Sequence, residues 1–232
     1  MASQSGHMQV VRSLCAAGAD RDRASGGATP LFIAASVGHL EVVQFLSEVG
    51  ANLSTTFGNG VAPVHVSAHN GHLDVVHFLC LAGEDPDKPM PDGATPLHKA
   101  SQGGHLQVVQ FLCEACADKD KADNRGWTPL LLAVHSGWLT VVQYLCMVDA
   151  DMEKAFTDGS TALTMAAARN QLEVLEFLCE SGADKDKPRY DGSTPLHIAA
   201  RHGNLDVVNC LCEANADVDR AMPGGMTPMF FA

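Results

Sequence analysis

The chain lacks any run of 18 or more apolar residues, and its opening Met1-Ala2-Ser3-Gln4-Ser5 has neither the basic nor the apolar region of a secretory signal. With no spanning segment and no export signal, an intracellular, cytoplasmic protein is expected. Basic charge is also scarce: 15 Lys and Arg stand against 27 Asp and Glu, a formal net charge of -12. A field of that sign repels phosphate backbones and anionic bilayers, so neither nucleic acid nor membrane is the expected partner. Charged residues make only 18% of the 232 residues while 46% are hydrophobic, which excludes intrinsic disorder and supplies a core. Eight cysteines at this length are too sparse for a disulfide scaffold.

What the chain does have is a period. Thr29, Ala62, Thr95, Thr128, Thr161, Thr194 and Thr227 recur every 33 residues, and five of the seven are followed by Pro-Leu or Pro-Met. Thr95 to His98 and Thr194 to His197 read Thr-Pro-Leu-His, with Ala62-Pro63-Val64-His65 as a variant. A second series, Gly38, Gly71, Gly104, Gly137 and Gly203, holds the same register and opens segments of the type Gly-His-Leu-Glu-Val-Val. Each Thr-Pro predicts a helix start, because the Thr hydroxyl accepts an orphan amide and Pro at the next position needs no donor. A second helix follows each Gly. In Leu106 to Glu114, Gln107, Gln110 and Glu114 form one polar stripe and the remainder is apolar, so that remainder is expected to be buried. Gly50, Gly83 and Gly182, with Asp149 and Asn215 as substitutes, occupy the left-handed position that ends a helix. A lone helix pair cannot bury apolar groups on two sides, so stacking between neighbours must supply most of the stability.

Period and signature together strongly resemble the ankyrin-repeat family. The resemblance spans essentially the whole chain: complete units at 24–56, 57–89, 90–122, 123–155, 156–188 and 189–221, with partial units at 1–23 and 222–232. It implies one all-α array, a solenoid of stacked antiparallel helix pairs with hairpin or turn fingers. Departures are local. Gly6-His7 falls one residue out of phase, Ala62 replaces the capping Thr, Ala162 replaces Pro, and Asn170-Gln171 replaces Gly-His. At the other end, Met226, Met229, Phe230 and Phe231 are expected to be poorly covered.

Few residues suggest chemistry. Cys15, Cys80, Cys113, Cys146, Cys179 and Cys212 share one place late in the second helix, where a packed, inert core thiol is expected. Cys113 and Cys116 form a Cys-x-x-Cys pair without the further ligands of a zinc site or the strand of a redox motif. His65, His98 and His197 share one register, and the resemblance implies a hydrogen-bonding role for them at the finger base. His69 and His72 are spaced to chelate, but His72 is a repeat position. Asp118-x-Asp120 begins like a calcium loop and then lacks its Gly, with Pro129 where a bidentate Glu belongs. Asn52-Leu53-Ser54 is a glycosylation sequon with no route to use. No phosphate loop, zinc-protease helix or nucleophile elbow occurs, so no enzyme activity and no cofactor are expected.

The resemblance instead implies a protein-binding scaffold whose variable finger tips and first-helix ends line a concave face. In those registers stand Asn124, Arg125, Trp127 and His135, then Arg169, then Tyr190, Arg201 and His202. Trp, Tyr and Arg are the side chains most enriched at binding hot spots. Trp127 replaces the small residues Ala94, Ser160 and Ser193, so the repeat did not require it. A contiguous patch centred on Trp127 with Arg125, His135, Tyr190 and Arg201 is therefore expected to bind an acidic, partly apolar protein or peptide. As a finger tip outside the core, Trp127 is expected to contribute little to stability, and the protein is expected to be a monomer. The alternatives are a structural or regulatory segment of a longer protein, such as an enzyme or channel whose functional domain is absent here, and a metal or redox protein.

Overall fold

The computed structural model describes residues 2–232, which carry fourteen helices and, among the described residues, two isolated β-bridges. They pack as two compact units, Met1–Asp118 and Lys119–Ala232. The first unit holds α1 (Met8–Ala16), α2 (Pro30–Val37), α3 (Leu40–Glu48), α4 (Pro63–His69), α5 (Leu73–Leu81), α6 (Pro96–Gly103) and α7 (Leu106–Glu114). The second holds α8 (Pro129–Ser136), α9 (Leu139–Met147), α10 (Ala162–Ala168), α11 (Leu172–Glu180), α12 (Pro195–His202), α13 (Leu205–Glu213) and α14 (Pro228–Phe231). In the first unit α2, α4 and α6 stack in one layer, with α1, α3, α5 and α7 in another. The second unit layers α8, α10, α12 and α14 against α9, α11 and α13. No helix among the described residues is long and apolar enough to cross a membrane.

Local chemistry sets the starts of first helices. Thr29 accepts from the Phe32 N–H at 3.2 Å and Thr128 from the Leu131 N–H at 3.2 Å, as an N-cap should. Ala62 has no hydroxyl, so the His65 N–H goes to the Ala62 carbonyl at 3.0 Å instead, and the histidine side chain serves a separate bond. His65 Nδ1 accepts the Ala62 N–H at 3.3 Å, which leaves the ring proton on Nε2 to donate to the Lys88 carbonyl at 2.8 Å. His197 bridges the Thr194 N–H and the Met226 carbonyl in the same way, at 3.3 and 3.2 Å. One imidazole thus ties a first helix to the next finger, the finger-base role implied by the resemblance.

That role requires a neutral ring, and burial pushes the His65 pKa down to about 4 from 6.5. The unfolded chain therefore takes up a proton near pH 6.5 that the folded ring refuses until about pH 4. Stability from this site is complete above pH 6.5 and is lost as pH falls toward 4, by up to about 3 kcal/mol. Thermal midpoints of wild type and His65→Gln across pH 4 to 8 check this: the wild type should fall more steeply below pH 6.5, and parallel curves would refute it.

A second histidine series locks adjacent repeats. His72 Nε2 donates to the Ser36 carbonyl at 3.1 Å, lying over Gly38, where an added Cβ would meet the ring at 2.6 Å. His105 does the same to the His69 carbonyl at 2.8 Å. In the second unit Asn204 takes this task, its amide donating to the Ala167 carbonyl at 2.9 Å. The Gly-His pair is thus a contact between neighbours: the glycine of one repeat makes room for the histidine of the next.

The acidic turns have a structural use as well. Asp87 accepts the Asp118 N–H at 2.8 Å in the first unit. In the second, Asp120 accepts from Asp151 at 2.8 Å, Glu153 from Asp184 at 2.9 Å and Asp186 from Asp217 at 2.9 Å. Each carboxylate binds a backbone amide one turn further along the stack, which accounts for the calcium-like Asp-x-Asp spacing without a cation.

The second helices are less buried than their pattern predicts. In α7 only Val108, Val109 and Leu112 are buried, while Leu106, Phe111 and Cys113 are half-exposed. The equivalent trios bury in α3, α5, α9 and α11. A second helix has its own first helix beneath it and second helices beside it, with no layer above, so its outer half meets water.

Candidate functional site

All the expected binding residues lie in the unit Lys119–Ala232, on fingers and first-helix ends. The finger before α8 closes through the Asp123 N–H to the Trp127 carbonyl at 2.8 Å. Asp123 is itself buried, and its Oδ1 accepts the N–H groups of Arg125 and Trp127 at 2.8 and 2.9 Å. This turn sends Asn124 and Arg125 outward. The Arg125 guanidinium is 3.6 Å from Asp123 and remains largely in solvent.

Trp127 turns inward from that finger. Its ring centroid lies 4.6 Å from Phe156 on the next finger and 5.0 Å from His135, edge-on, at the end of α8. Half-buried against both, it is not the detached finger tip that its register suggested, and truncating it removes packing between two repeats. Phe156 was missed as part of this cluster; the signal available was an apolar residue at a position held by Asp123 and Arg189 in neighbouring fingers. Arg169, just past α10, places Nη2 2.7 and 2.8 Å from the two ring nitrogens of His135. Burial and then the Arg169 charge lower the His135 pKa, so the ring stays neutral beside its cation.

The next repeat presents its side chains outward. Tyr190 at its finger tip is 79% exposed, anchored by its own N–H to the Asp158 carbonyl at 3.2 Å. Arg201 and His202 end α12 and are exposed, His202 Nδ1 donating to the Ile198 carbonyl at 2.8 Å. Arg189 sits below Tyr190 in an ion pair with Asp158 at 2.5 Å. Trp127, Phe156, His135 and Arg169 therefore form one packed cluster across two repeats, while Tyr190, Arg201 and His202 stand on the repeat that follows. This surface brings aromatic rings and cations from successive repeats onto fingers and first-helix ends.

The cysteines correct the sequence reading. None of the eight is fully buried: Cys116 and Cys212 are exposed and Cys15, Cys80, Cys113, Cys146, Cys179 and Cys210 are half-buried, all as free thiols. Their register falls on the outer half of the second helix, the half without a covering layer. Partial burial still pushes the Cys80 and Cys146 thiols up to about 11, away from reactive thiolate. Cys116 takes the left-handed conformation of the glycine it replaces, with φ 63°. Among the described residues no three His, Cys, Asp or Glu side chains are grouped to hold a metal ion.

A family model described as ankyrin repeats (3 copies) matches residues 1–57, 64–155, 146–222 and 186–232, and one described as ankyrin repeats (many copies) matches 38–80. No curated protein sequence matches significantly. Among solved structures, the crystal structure of the human ASB11 ankyrin repeat domain superposes with a TM-score of 0.82 at 26% identity, over 88% of this chain and 92% of that one. The ankyrin repeat domain of Bcl-3, titled a unique member of the IkappaB protein family, gives 0.80 at 27% identity, over 89% and 94%.

Proposed function

Because the chain belongs to the ankyrin-repeat family, whose repeats are generally protein–protein interaction modules, we propose that it is a non-catalytic scaffold holding a partner on its fingers and first-helix ends. In this reading it acts as a cytoplasmic monomer, one array of complete repeats at 24–56, 57–89, 90–122, 123–155, 156–188 and 189–221. The partner is a protein or peptide segment, acidic and partly apolar. One observation carries the assignment: on a chain of net charge -12, Arg125, Arg169, Arg201 and the 79% exposed Tyr190 project from neighbouring repeats of the same unit. An exposed aromatic beside cations holds apolar surface and carboxylates together, at a desolvation cost that an acidic partner offsets.

Tyr190 and Arg201 are better probes than Trp127, because neither holds the stack together. Photo-crosslinking from position 190 identifies the partner, whose affinity is then measured. Tyr190→Ala and Arg201→Ala should each weaken binding by about 30-fold, about 2 kcal/mol, with the thermal midpoint unchanged. Glu173→Ala, exposed on α11, should alter neither quantity. Full affinity in both the tyrosine and the arginine variant would move the binding face elsewhere.

A further inference from the structure

The fingers differ at their tips in a way that bears on covalent chemistry. Asp92, Asp158 and Asp191 each precede a glycine there, and Asn59 holds the same register before Gly60. In the aspartate fingers Oδ1 accepts the N–H two residues on, from Ala94 at 3.1 Å, Ser160 at 2.9 Å and Ser193 at 2.9 Å. The tip glycine then donates to the carbonyl three residues back, Gly93 to Met90 at 2.8 Å, Gly159 to Phe156 at 2.9 Å and Gly192 to Arg189 at 2.9 Å. The Asn59 finger closes otherwise. Its Phe57 carbonyl takes the Val61 N–H at 3.0 Å, and among the described residues the Gly60 N–H and the exposed Asn59 side chain form no hydrogen bond. The sequence holds one other Asn-Gly pair, in the same unit and in opposite surroundings. There the Asn70 side-chain amide donates to the Ser36 carbonyl at 2.7 Å, and the Gly71 N–H donates to the Ala68 carbonyl at 3.3 Å.

We propose that Asn59-Gly60 is a self-modification site, converting to aspartate and isoaspartate without an enzyme. The Gly60 nitrogen gives its proton to hydroxide and attacks Asn59 Cγ. The new C–N bond closes a succinimide ring, and the side-chain nitrogen takes a proton from water and leaves as ammonia. Water then adds to one of the two imide carbonyls and reopens the ring, to aspartate from one side and isoaspartate from the other. In sum one water is consumed and one ammonia released, with nothing oxidised. Attack needs a nitrogen free of other bonds and a side chain free to turn onto it. Both are present at the finger tip, where Gly58 and Gly60, with φ 54° and 83°, let the backbone between them rotate. At Asn70 nucleophile and electrophile are both tied down, so two hydrogen bonds must open first. The two products act differently on the fold. Aspartate gives this finger the acceptor that Asp92 offers to Ala94, in reach of the Val61 N–H. Isoaspartate puts an extra carbon into the main chain beside Gly60, where even a Cβ would collide with Pro91 Cδ of the next finger. That product therefore pushes the two fingers apart.

The test incubates the whole chain at mildly alkaline pH, natively and in urea, and follows the peptides that contain positions 59 and 70 by mass spectrometry. The product is heavier by the difference between an oxygen atom and an NH group. In the native protein Asn59 should convert, and Asn70 about 10–100-fold more slowly, a factor set by its two hydrogen bonds. In urea that gap should close, because only the folded chain distinguishes the two pairs. Asn59→Gln should abolish conversion at 59 and leave Asn70 as it was. Asn59→Asp should fold with a thermal midpoint no lower than that of the wild type. The assignment is overturned if Asn59 persists natively over the time that converts it in urea, if Asn70 keeps pace with it in the native protein, if the gap survives in urea, or if Asn59→Asp lowers the midpoint.

Discussion

Leu178→Ala is expected to lower the free energy of unfolding by about 3 kcal/mol, the middle of the range for emptying a buried leucine site. Leu178 is fully buried in α11, which packs against α9, α10 and α13, so the lost methyl groups are withdrawn from both neighbouring repeats at once. The matched control is Leu205→Ala in α13, where the same side chain is 68% exposed and the change should stay within about 0.5 kcal/mol. Urea midpoints measured with unchanged m-values separate the two. Comparable losses at both positions would mean that burial does not set the ranking in this stack.

Gly159→Ala should cost about 2–4 kcal/mol for a different reason. Gly159 has φ 86°, and a Cβ there would stand 2.7 Å from the backbone nitrogen of Tyr190 and 3.0 Å from the Arg189 Cα. A side chain can swing aside from such a contact, whereas this one is backbone of the next finger and must shift as a unit. Gly182 supplies the comparison: its φ is 87°, with nothing within 4 Å of its would-be Cβ. Gly182→Ala pays only the left-handed conformation, about 1 kcal/mol. The difference between the two variants in thermal or urea unfolding therefore measures the close approach of adjacent fingers. If the two cost the same, the fingers do not constrain one another. Since Tyr190 rides on that contact, Gly159→Ala should also weaken partner binding.

Helix starts were legible residue by residue, since Thr-Pro states its own capping chemistry, and so were the left-handed ends at Gly50, Asp149 and Asn215, with φ 85°, 61° and 63°. The candidate binding registers were legible too, because they follow from the repeat. Two things were not. Trp127 was read outward although it packs on Phe156 and His135, because a fixed period assigns a side chain to a finger without saying which way the ring turns. The cysteine register was read as core although all eight thiols keep some exposure, because apolar spacing marks a face without saying whether a layer covers it.

The sequence by itself determined everything that recurs: the 33-residue unit, two helices in each, their caps, and turns rich in aspartate. Those properties depend on interactions within a few residues along the chain, so local pattern is enough to specify them. Only the tertiary structure decided what passes between repeats. His72 over Gly38, Asp186 on the Asp217 amide and Arg169 against His135 each join residues about one repeat apart. Their partners are chosen by how far one helix pair is displaced and turned relative to the next, a geometry that side-chain volumes across the whole contact set together and that no single register contains.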